Sequence, residues 1–121
     1  MDTRGKIADS SVLDSLVNVE SATFVSGYFD PLWAPHAERL EELSRRGRPL
    51  VVLLADPPDP LLPSRSRAEL LAGLDCVDHV LLPEPSGKAL DPKRPVVQEE
   101  RSDLDRRRQL ILHVHSRHGS Q

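Results

Sequence analysis

Cysteine is almost missing from this chain: the single one, Cys76, excludes an internal disulfide and a cysteine-based zinc site. Excess positive charge is also missing. Lys and Arg number 16 against 19 Asp and Glu, for a net charge of -3, so the basic footprint that drives binding to nucleic-acid phosphates is absent and no nucleic-acid partner is expected. The longest apolar run, Leu50 to Ala55, falls far short of the roughly 20 residues that span a bilayer as a helix. No membrane segment is expected. The first residues, Met1-Asp2-Thr3-Arg4-Gly5-Lys6, lack the apolar core of a secretory signal, so the cytoplasm is the expected compartment. No internal repeat is visible.

What is there suits one domain. The 121 residues are enough for one compact core and too few for two ordinary ones. A mean hydropathy of -0.40 and 11 prolines make that core modest and the loops extensive. Residues 1–10 are polar and expected to fray, while Val12, Leu13, Leu16 and Val17 have the spacing of a short amphipathic helix. Ala22 to Ser26 reads as a short buried strand ended by Gly27. Pro35 suits the first turn of a helix that Gly47 ends, with Ala37, Leu40 and Leu43 on one face and His36 at the end of that stripe.

Leu50 to Ala55 is continuously apolar, as a central strand covered on both faces requires, and Asp56-Pro57-Pro58 stops it. A helix capped by Ser64 then runs to about Leu74, and Val77 to Leu82 forms a third strand. The order β-α-β-α-β implies a parallel sheet with right-handed crossovers, an α/β architecture. From Pro83 to Pro95 the composition is that of an exposed, mobile loop. Pro95 to Gln98 suits a short edge strand, and Glu99 to His118, acidic early and basic late, suits a C-terminal helix with Leu104, Ile111 and Val114 inward.

The segment Gly27-Tyr28-Phe29-Asp30-Pro31-Leu32-Trp33-Ala34-Pro35-His36 resembles the signature of the cytidylyltransferase-like family, Gly-x-Phe-Asp-x-x-His-x-Gly-His after the first strand. The likeness continues through the acidic residue after the second strand, Asp56, and through Arg67-Ala68-Glu69-Leu70-Leu71-Ala72 into Val77 and Val80. It implies a small Rossmann-like three-layer domain, shortened on its C-terminal side because the serine/threonine-rich nucleotide turn is represented only by Ser102. It further implies that Gly27, Tyr28, Phe29, Asp30, Trp33, His36, Asp56 and Arg67 contact the nucleotide and that His36 is catalytic.

The chemistry so implied is transfer of a nucleotidyl group from CTP, carried as its Mg2+ complex, to a small phosphorylated alcohol. The position suits phosphate, because a loop that feeds a helix N-terminus offers free N–H groups and a favourable dipole. Two residues depart from the signature: Trp33 replaces a histidine, and Pro35 replaces a glycine and removes an N–H. A noncatalytic descendant of the fold, serving as an interaction or dimerisation module with a second copy as partner, is therefore the alternative. For Asp30 ordinary turn chemistry competes with ligand contact, and for Arg67 helix anchoring does so. His113, His115 and His118 read as a solvated helix end, and no protein-held metal site is expected.

Overall fold

A computed structural model describes residues 4–100. The expected C-terminal helix beyond Glu100, with Ser102 and the three late histidines, lies outside the described residues. The order is β1 (Ile7–Ala8), α1 (Ser10–Leu16), β2 (Thr23–Gly27), α2 (Ala34–Arg46), β3 (Leu50–Leu54), α3 (Ser64–Ala72), β4 (His79–Leu81) and β5 (Val97–Gln98), after a 3-10 turn at Arg4–Lys6. All strand pairs are parallel, and the sheet order is β1-β4-β3-β2-β5. This is the small α/β Rossmann-like domain anticipated from the sequence.

β3 sits at the centre, and its five residues are all buried. Alternation sends Leu50, Val52 and Leu54 to one face, where Leu40 and Leu43 of α2 and Ala68 and Leu71 of α3 cover them. Val51 and Leu53 point to the other face and meet Leu13 and Leu16 of α1 together with Leu90 from the long loop. Each full burial of a Val or Leu contributes about 1.5–3 kcal/mol, which is why this strand anchors both layers.

The helix ends follow local chemistry. Asp9 caps α1 by accepting the Ser11 N–H at 3.0 Å. α2 begins at Ala34, one residue earlier than Pro35 suggested, and ends at Gly47. A Cβ there would collide with the Ser21 carbonyl oxygen, so the close approach demands glycine. α3 takes Pro63 as its N-cap, and Ser64 is its first helical residue.

Two expectations need correction. The start does not fray throughout, because Ile7 and Ala8 pair with Val80 and Leu81 as an edge strand, and the Lys6 ammonium donates to the Leu74 carbonyl at 3.1 Å. A two-residue strand is too short to show a period in the sequence. The loop 83–95 carries no helix or strand, yet it is not simply exposed: Leu90 is buried in the core, and Arg94 holds the chain to the end of α1. Single anchors of this kind leave no periodic trace.

Candidate functional site

The sheet order creates a crevice. From β2 the chain crosses by α2 over one face to β3, whereas from β4 it crosses by the loop bearing Leu90 over the other face to β5. β2 therefore stands between β3 and β5 where the crossovers part, and a doubly wound sheet binds ligands outside the carboxyl ends of its strands at such a switch point. A crevice of about 930 Å³ runs from there along the sheet, bordered among others by Ser26 and Tyr28 of β2 and its loop, Asp56 after β3, Gln98 of β5 and Lys88 of the long loop, and reaching Arg94 near the start of β2.

The signature loop is built around a buried guanidinium. Arg67 is completely buried; its Nε donates to the Leu62 carbonyl at 3.0 Å, and one terminal nitrogen donates to the carbonyls of Tyr28 and Ala55 at 2.9 and 2.8 Å. Its other terminal nitrogen pairs with the Asp56 carboxylate. One side chain thus ties the loop after β2 to the loop after β3. Phe29, 1% exposed, has a φ of 47°, a left-handed conformation that a bulky residue keeps only where burial and fixed neighbours enforce it.

Asp30 faces inward. Its two carboxylate oxygens accept the N–H groups of Leu61 and Leu62 at 2.6 and 2.9 Å, pinning the Pro-rich segment that precedes α3. Both oxygens are engaged in this turn, which is the structural role weighed for this residue.

His36 occupies the third position of α2 and is 2% exposed. Its Nδ1 accepts the Trp33 N–H at 3.1 Å, and its ring meets Phe29 edge-on, with centroids 5.3 Å apart. An accepting Nδ1 in a neutral imidazole places the proton on Nε2. This is half of a capping box; Trp33 has no side-chain oxygen with which to complete the exchange. Trp33, Pro35 and His36 do not border the crevice.

The crevice is mixed in charge. Asp56 is matched by Arg67, and Asp91 by Lys93 at 2.9 Å, a contact that holds the Asp91 carboxyl below its ordinary range. Glu100 adds a further carboxylate at the rim. Among the described residues no group of three or more His, Cys, Asp or Glu could hold a metal ion. One or two carboxylates beside a nucleotide are the usual protein share of a Mg2+ site; Asp56 and Glu100 both border the crevice, and the Asp56 carboxylate is already paired with Arg67.

Of the sequence-derived site residues, Tyr28 and Asp56 border the crevice, Arg67 braces it, and Gly27, Phe29, Asp30, Trp33 and His36 form the loop and helix start beside it. Ser26, Lys88, Arg94 and Gln98 also border it and carried no motif. Gln98 lay within a recognisable edge strand; for Lys88 and Arg94 the only available signal was the cluster of bases in the loop.

The chain is 33% identical over 95 residues to the bifunctional protein HldE of Trichlorobacter lovleyi, and equally so to the bifunctional protein HldE of Pelobacter propionicus. These matches take in 67% of this chain but 19% and 20% of the relatives, so the chain spans about a fifth of their length. No family model matches the chain. The similarity and the parallel sheet are the two findings on which a functional reading rests. No helix among the described residues is long and apolar enough to cross a membrane.

Proposed function

We propose that the domain binds a CTP-like nucleotide, carried as its Mg2+ complex, in the switch-point crevice, and that this placement serves transfer of the nucleotidyl group to a small phosphorylated alcohol. The observation that carries the reading is the crevice itself, which reaches the carboxyl ends of β2 and β5 where the crossovers part. Tyr28 and Gln98 offer a phenol and an amide to a base or ribose, while Asp56 and Glu100 offer oxygens to the cation. Magnesium would supply charge neutralisation on the phosphates.

One observation favours a second reading, a domain that binds without transferring. His36 is buried and its Nδ1 serves the helix start, while the neighbouring signature position is Trp33, which can never carry positive charge. Calorimetric titration with CTP and Mg2+, paired with a pyrophosphate-release assay on phosphorylated alcohols, separates the readings. Heat with release supports transfer; heat alone supports the second reading. No heat and an unshifted melting temperature overturn both, since a ligand of the folded state must stabilise it.

A further inference from the structure

The segment Glu84-Pro85-Ser86-Gly87-Lys88 is a built turn. Proline presets the second position, the Gly87 N–H donates to the Glu84 carbonyl at 2.8 Å, and the Glu84 N–H reaches the Lys88 carbonyl at 2.9 Å. Gly87 has a φ of 87°, open to glycine and costly for other residues, and its carbonyl accepts the Asp56 N–H at 2.8 Å. The turn is therefore clamped to the carboxyl end of β3. Lys88, exposed, projects from this fixed stem at the border of the crevice.

Among the described residues two cationic side chains border the crevice, Lys88 and Arg94. Arg94 is committed: its terminal nitrogens donate to the carbonyls of Val17, Val19, Glu20 and Ala22 at 2.6–3.3 Å, and the guanidinium lies 4.9 Å from the centre of the Phe24 ring. The Lys88 ammonium has no hydrogen-bond or ion-pair partner among the described residues. The start of α2 has lost two of its donors. Pro35 has no N–H, and the Trp33 N–H is held by His36.

Resting on the nucleotide reading above, we infer that Lys88 is the phosphate-binding residue of the crevice, so that the anionic tail of the ligand points to the 84–88 turn and not to the start of α2. An ammonium on a flexible stem suits a point contact with phosphate oxygens. Titrations of the parent chain, Lys88→Ala and Lys88→Arg with CTP and Mg2+, and with uncharged cytidine, test this.

Loss of a charge-assisted contact should weaken CTP on the order of tenfold in Lys88→Ala, leave cytidine unchanged, and be largely restored in Lys88→Arg. The melting temperature without ligand should stay that of the parent, because the side chain is exposed. Equal affinity of parent and Lys88→Ala for CTP overturns the assignment alone, as does an equal loss for cytidine. A parent that binds neither ligand overturns the crevice reading and this inference with it.

Discussion

Arg67 and Asp56 form an ion pair at the carboxyl end of β3 in which the guanidinium is fully buried and the carboxylate is one-third exposed. The same guanidinium serves three carbonyls. Arg67→Met removes the donor that all of these acceptors share, and losing one partner of a buried network costs about 3–5 kcal/mol. Urea denaturation should show that loss. Arg67→Lys should recover only a part, because one ammonium cannot span acceptors placed for a planar fork.

His36→Ala removes the acceptor of the Trp33 N–H and the edge contact with Phe29. The expected loss is about 1–2 kcal/mol, that of a helix cap with some packing. Glutamine is a natural acceptor at this helical position, so His36→Gln should be the milder change in the same melting experiment.

Asp78 carries an acid-sensitive tie. Partial burial pushes its carboxyl up, but hydrogen bonds from Arg48 and from the Leu50 N–H outweigh that and hold it below the ordinary 3.8. A carboxyl depressed in the folded state contributes stability above its unfolded value, and that stability is lost as pH falls through the folded value. The gap in urea midpoint between parent and Asp78→Asn should therefore be constant above about pH 5 and should close below about pH 4.

Arg94→Met should loosen the crevice wall. The four carbonyl contacts and the position over Phe24 are partly exposed, so a loss of about 1–3 kcal/mol is expected. Amide exchange should rise across residues 89–96, where Leu90 shares the anchoring. If exchange there equals that of the parent, the guanidinium is not what holds the loop.

Legibility followed the length of each pattern. β3 was plain because its buried residues are consecutive, and α2 because Leu40 and Leu43 repeat at helical spacing between Pro35 and Gly47. β1 was hidden because two residues carry no period. The loop around Gly27 and His36 stood out as a motif, yet the motif did not reveal that His36 would turn inward as a cap or that Asp30 would bind the backbone at Leu61 and Leu62.

By itself the sequence determined the alternation of strand and helix, the parallel sheet that alternation demands, and the position of the signature loop after the first long strand, since each depends on neighbours only a few residues apart. Only the tertiary structure decided which polar groups border the crevice and which are consumed beside it. Arg94 meets carbonyls more than 70 residues earlier in the chain, and Lys88 reaches the crevice because the Gly87 carbonyl binds the Asp56 N–H across the end of β3. Contacts at such separations come from how the crossovers pass over the sheet, which no local pattern of side chains encodes.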